Sequence, residues 1–163
     1  MVIAMKRLSL PLFALSLLAS ATSALAAVHE KQAEPLHISQ GAEVALTDFL
    51  VPGKLVIFDF TSKFCGPCQA YSGPLQLLHE KRADIVVVKV DINRPGVSRI
   101  DWESPVAQQF DLHSIPHFKV YNPAGKLIAE DKIVLGPDGS PDRTLSSASG
   151  RRMVDGLINN LAQ

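Results

Sequence analysis

The apolar run Leu55-Val-Ile-Phe-Asp-Phe60 leads directly into Cys65-Gly-Pro-Cys68, and these two features constrain the chain most tightly. A run that is nearly continuous, without alternation, reads as a strand buried on both faces. The two cysteines are the only ones in the chain. In an oxidising compartment they can close into a disulfide, and their spacing suits thiol–disulfide exchange better than holding a fold together. A bridge closing so short a loop adds at most about 2 kcal/mol.

The first 26 residues read as an export signal. Lys6 and Arg7 form a positive region, Leu8 to Leu18 an apolar core, and Ala24-Leu-Ala26 a small-x-small cleavage site. The apolar core is too short to span a bilayer as an ordinary transmembrane helix. The expected organisation is thus a signal peptide over 1–26 and one domain over 27–163, with the periplasm as destination. Without Lys6 and Arg7 the basic and acidic residues nearly balance. This balance offers no basic patch for nucleic acid and no polybasic membrane surface.

Beyond the signal, Ala27 to Pro35 is polar and expected to be mobile. Leu36-His-Ile38 fits a short edge strand, and Gly41 to Leu50 a short helix. After the strand Leu55 to Phe60, a helix opens at the cysteines and runs to about Lys81. Its apolar stripe is Cys68, Tyr71, Leu75 and Leu78, and Gly73-Pro74 should kink it. Ile85 to Ile92 is a second buried strand, and Ser104 caps a short helix that begins at Pro105. His117 to Tyr121 and Lys126 to Val134 form a hairpin about Asn122-Pro-Ala-Gly125. The stretch Gly136 to Gly150 is a long Gly/Pro/Ser-rich loop. A last helix carries Met153, Val154, Leu157, Ile158 and Leu161 on one face. This order predicts a mixed sheet covered on both sides by helices.

The cysteine pair leaves three chemistries open: redox exchange, metal binding and an inert bridge. One C-x-x-C supplies two thiolates where structural zinc takes four ligands. His113 and His117 are the nearest further donors, on either side of Pro116. For exchange the mechanism is concrete. Cys65 at a helix N-terminus would be held as thiolate by unpaired N–H groups and act as nucleophile. Cys68, one turn on, would attack the mixed disulfide and release the product. Gly66 lets a substrate approach closely, and Pro67 lacks a donor that the first turn does not need.

The stretch Val56-Ile-Phe-Asp-Phe60 with Phe64-Cys-Gly-Pro-Cys68 resembles the active-site strand and helix of the thioredoxin family. The resemblance continues through Val88-Lys-Val-Asp91, Ser114-Ile-Pro116 and Gly125. It implies a thioredoxin-like three-layer α/β sandwich with a central mixed sheet. It further implies a Cys65–Cys68 disulfide and a substrate surface of Phe64, Gly66, Pro67, Ile115 and Pro116. Pro116 would be a cis-proline whose preceding backbone pairs with substrate. Asp59 would accept the proton of Cys68, with Lys89 available to pair with it. Phe64 stands where tryptophan is usual in the family. His117 reads as a strand residue more than a ligand, although near the cysteines its charge would favour the Cys65 thiolate.

Between Asn93 and Pro116 the chain is longer than the family's usual segment, and the extra residues include Arg99-Ile-Asp-Trp102. A loop tryptophan of this kind most often packs a satellite cluster; the alternative is contact with substrate. The resemblance implies a disulfide oxidoreductase that needs no cofactor and no metal. Gly-Pro between the cysteines and Ile115 before Pro116 resemble reducing members. The expectation is therefore a monomeric periplasmic reductase of protein disulfides, supplied by a membrane thiol–disulfide electron donor. The alternatives are a disulfide oxidant or isomerase, and a non-catalytic metal-carrying or partner-binding module on the same scaffold.

Overall fold

The computed structural model describes residues 31–161, so the expected export segment over 1–26 lies outside the described residues. Six strands form one sheet in the order β1-β3-β2-β4-β5-β6. They are β1 (Leu36–Ile38), β2 (Leu55–Thr61), β3 (Ile85–Asp91), β4 (His117–Tyr121), β5 (Leu127–Lys132) and β6 (Ser147–Ala148). β1, β3 and β2 run parallel, whereas β4, β5 and β6 join antiparallel. The helices are α1 (Gly66–Lys81), α2 (Pro105–Gln109) and α3 (Ser149–Asn159).

β2 is central, and Val56 through Phe60 are all buried, as the continuous apolar run requires. One face, with Val56, Phe58, Phe60, Val86 and Val88, packs on Val106 and Ala107 of α2. The other, with Ile57, Val87, Phe118 and Val120, packs on Leu75 and Leu78 of α1 and Val154 of α3. Each such side chain contributes roughly 1.5–3 kcal/mol on burial. The hairpin between β4 and β5 turns at Gly125, whose φ of 76° suits glycine. Asn122 Oδ1 ties that turn by accepting the N–H groups of Ala124 and Lys126.

Three expectations need correction. Gly41 to Leu50 is not a helix, and only a 3-10 turn forms over Leu46–Phe49. The Gln109 side-chain amide captures both the N–H and the carbonyl of Val44, which diverts them from helical bonds. The chain before β1 is pinned over its described part. His79 of α1 is buried and accepts Val87 N–H through Nδ1 at 3.0 Å. Its Nε2–H therefore points to Gln32 O at 2.9 Å, and the Lys31 ammonium reaches the His79 and Arg82 carbonyls. β1 begins opposite Val88, so the histidine occupies the edge of β3 next to the strand's end. Finally, Gly136 to Gly150 is not wholly loop. Its end forms β6 and opens α3, and its start is folded by carboxylate turns at Asp138 and Asp142.

α3 meets the sheet so closely that Gly150 admits no side chain. A Cβ there would lie 2.4 Å from Phe118 O and 2.9 Å from Asp131 N. Gly150→Ala is expected to lower stability by about 1–3 kcal/mol through overpacking against backbone. Gly156→Ala, in open space on the same helix, should raise it by roughly 0.5–1 kcal/mol. Urea unfolding midpoints of the two variants, shifted in opposite directions, would check both.

Candidate active site

β2 ends at Thr61, and the chain turns into α1 through Ser62, Lys63 and Phe64. Ser62 organises that turn. Its carbonyl accepts Cys65 N–H at 3.0 Å and the Gln69 side-chain amide at 3.2 Å. Its hydroxyl donates to Asn93 Oδ1 at 2.6 Å and accepts Phe64 N–H at 3.2 Å. Ser62 and Asn93 are both buried and follow the parallel neighbours β2 and β3. Neither was singled out by the sequence. The usable signal was position, since ligands of open α/β sheets bind beyond the carboxyl ends of parallel strands.

Cys65 is the N-cap of α1, and Cys65 and Cys68 form a disulfide with S–S 2.05 Å. Cys68 N–H donates to Cys65 Sγ at 3.1 Å. Pro67 brings no donor, so this N–H is the first-turn group aimed at the sulfur, where it would favour a thiolate after reduction. Cys68 is fully buried, and Cys65 is only 2 % exposed. Any partner must therefore meet the sulfur through a narrow window. Gly66 faces open space, and Phe64 projects 38 % exposed, with the Lys63 ammonium 5.0 Å from its ring centre.

The Ile115–Pro116 bond is cis, and Ile115 O lies 3.7 Å from Cys65 Sγ. In the disulfide this sulfur carries no proton, so the contact is van der Waals; a Cys65 thiol would be able to donate there. Pro116 O in turn accepts from Arg151 Nη2 of α3 at 2.9 Å. The Asp131 carboxylate accepts Phe118 N–H and Arg151 N–H at 3.0 and 2.9 Å. The cis-proline segment is thereby tied to both β5 and α3. Asp131 and Arg151 carried no sequence signal, because their roles require β4, β5 and α3 to meet.

Asp59 is 1 % exposed and lies on the face of β2 covered by α1, the helix that buries Cys68. Its Oδ1 has no hydrogen-bond partner. Burial pushes its carboxyl up to about 7, against the opposing pull of the Lys89 charge. Lys89 is its register partner on β3 and stands between it and His37 of β1. The lysine is only partly buried and acts on Asp59 through its field, without contact at Oδ1.

His117 is the first residue of β4, buried edge-on to Phe60 with 5.4 Å between ring centres. Burial, reinforced by the Lys119 charge, lowers its pKa to about 4. It is neutral near pH 7 and offers Cys65 no positive charge. His113 lies instead beside Asp111, 3.0 Å away. Trp102 does not pack into a satellite cluster; it stands 36 % exposed on the rim of a groove that it shares with Phe64.

The family model described as Thioredoxin matches residues 43–137. The chain belongs to the thioredoxin family. Its relatives include a thioredoxin H-type of Brassica oleracea, 35 % identical over 81 residues, which cover 50 % of this chain and 57 % of the relative. A thioredoxin H-type of Picea mariana is 31 % identical over 98 residues, covering 60 % of this chain and 70 % of the relative. The chain spans about half the length of the first of these curated thioredoxins. A solved thioredoxin f from spinach chloroplast aligns with a TM-score of 0.48 and 18 % identity, covering 90 % of this chain and 98 % of that one. The sandwich described above is the thioredoxin-like fold expected from the cysteine motif.

In this thioredoxin-family domain the Asp59 shift has a definite sign. The unfolded carboxyl titrates near 3.8, the folded one near 7. Stability present at acid pH is therefore lost as pH rises between these values, at about 1.4 kcal/mol per unit, and levels off above them. Asp59→Asn should be more stable than the native chain by a few kcal/mol at pH 8, with the difference closing toward pH 4. Urea unfolding across that range tests this, and a difference independent of pH would rule out a shifted carboxyl.

Proposed function

We propose that the chain is a thiol–disulfide oxidoreductase that reduces protein disulfides outside the cytoplasm. The observation that carries this reading is the position of the Cys65 sulfur. It sits between the N-terminal N–H of Cys68 at 3.1 Å and the carbonyl preceding a cis-proline at 3.7 Å. One group favours a thiolate, and the other belongs to a backbone segment that a substrate chain can lie along.

The Cys65 thiolate attacks one sulfur of a substrate disulfide, and the other substrate sulfur leaves as thiolate and takes a proton from water. Cys68 then loses its proton to the Asp59 carboxylate and attacks Cys65 Sγ, which releases the second substrate thiol. Two electrons have passed to the substrate, and Cys65–Cys68 is left oxidised. A carboxyl poised near 7 can hold that proton and give it up again at neutral pH. Phe64, Gly66, Pro67, Ile115 and Pro116 form the surface around the sulfur, and Lys89 tunes Asp59.

Extracytoplasmic location is supported by Lys6-Arg7, the apolar Leu8 to Leu18 and the Ala24-Leu-Ala26 site. In that compartment a reductase needs electrons from a membrane thiol–disulfide donor. The Gly-Pro between the cysteines and Ile115 favour this direction over disulfide donation.

Cys65→Ser is expected to abolish reduction of a disulfide-bonded test protein while unfolding like the native chain with its disulfide reduced, since only the bridge's contribution of at most about 2 kcal/mol is lost. Cys68→Ser should accumulate a mixed disulfide through Cys65. Equilibration of the Cys65–Cys68 couple with dithiothreitol or glutathione buffers should give a potential near about −270 mV. A value near about −120 mV would reverse the direction to disulfide donation.

A further inference from the structure

The segment between β3 and α2 is longer than the family pattern, and it is built as a rigid wall beside the cysteines. Arg94 grips Asp101 with a two-point fork, Nε at 2.7 Å and Nη2 at 2.9 Å. Asn93 Nδ2 donates to Arg99 O at 2.6 Å, and Gln108 of α2 holds Trp102 O at 2.8 Å. Asn93 also accepts from the buried Ser62 hydroxyl, which receives Phe64 N–H. A continuous hydrogen-bonded path thus joins the inserted segment to the residue preceding Cys65.

The wall borders an open groove of about 570 Å³ whose apolar lining is Phe64, Ile100 and Trp102. Phe64 and Trp102 are large apolar side chains left more than one-third exposed, although both sit on loops braced by side-chain hydrogen bonds. Holding two aromatic rings in water against a prepared gap leaves apolar surface for a partner to cover. Arg99, Asp101 and Glu103 also line the groove, and because Asp101 is already held by Arg94, Arg99 and Glu103 are left to meet the C=O and N–H groups of a peptide.

The geometry points to this groove as a specificity subsite for an extended polypeptide that carries a bulky apolar side chain within one or two residues of its disulfide cysteine. The inference rests on the oxidoreductase reading and names the substrate class that site prefers. Continuity with Cys65 selects the occupant. A chain that presents sulfur through the narrow window at Cys65 can lay its neighbouring residues over Phe64, which precedes that cysteine and lines the groove. Extended chain advances about 3.3 Å per residue, so the next side chains fall within the groove. Trp102 and Phe64 then clamp one of them while Arg99 and Glu103 meet the backbone.

Trp102 is the only tryptophan of the chain, so the groove reports its own occupancy. The full chain in its disulfide form would be titrated with a short peptide in which serine replaces cysteine beside a phenylalanine, and with its alanine counterpart. A saturable blue shift of Trp102 emission, at least tenfold tighter for the phenylalanine peptide, is expected. No shift, or equal response to both, overturns the subsite. In turnover, the phenylalanine peptide disulfide should exceed the alanine one about tenfold in kcat/KM, with that ratio falling toward one in Trp102→Ala. A ratio unchanged in Trp102→Ala also overturns it. An emission response without reduction of either peptide would refute the oxidoreductase reading and leave the groove standing. Reduction without peptide preference or emission response would do the reverse.

Discussion

Burial of β2 on both faces is the constraint from which the rest of the molecule follows. A strand with Val56 through Phe60 all out of water needs a layer of side chains above and below. α2 supplies one layer and α1 with α3 the other. Because β2 is flanked by β3 and β4, its end is fixed laterally as well. The chain leaving it enters α1 within a few residues, so the helix N-terminus and Cys65 inherit that rigidity. Ser62, at the junction, converts strand position into sulfur position through four hydrogen bonds.

The same burial makes the site's electrostatics costly and therefore tunable. Asp59 interrupts an apolar strand and finds no hydrogen bond for Oδ1, so its carboxyl holds a proton that an exposed one would lose. On the opposite face His117 is held neutral by the same lack of water. On the same face Lys119 meets Glu130 and lies over the Phe110 ring. One sheet thus carries a poised acid toward α1 and a neutral imidazole toward α2. A single strand position, immediately after the cis-proline, decides that the histidine belongs to the second face and not to the sulfur.

Legibility in the sequence followed the range of each interaction. The strands Leu55 to Phe60 and Ile85 to Ile92, the Ser104 cap and the Asn122 to Gly125 hairpin are local patterns, and each was readable. Gly41 to Leu50 has helical periodicity, yet a glutamine sixty-five residues away takes the Val44 backbone groups. His79 carried no signal in the sequence, because its partners are a strand N–H and the incoming chain. Arg151 and Asp131 were invisible for the same reason. Trp102 stood out in the sequence, but not its exposure in a groove shared with Phe64.

The sequence by itself determined a mixed sheet covered on both sides by helices and put Cys65 and Cys68 where a disulfide can close. Periodicity carries the first and a separation of three residues the second, whereas Asp59 as proton acceptor of Cys68 came from the resemblance to the thioredoxin family. Only the tertiary structure decided which backbone carbonyl faces the sulfur and which helix holds the cis-proline segment. It alone brought Phe64 and Trp102 into the lining of one groove beside the cysteine motif. Those relations join residues far apart in the chain, and they exist only once the sheet order has brought the ends of β2, β3 and β4 together.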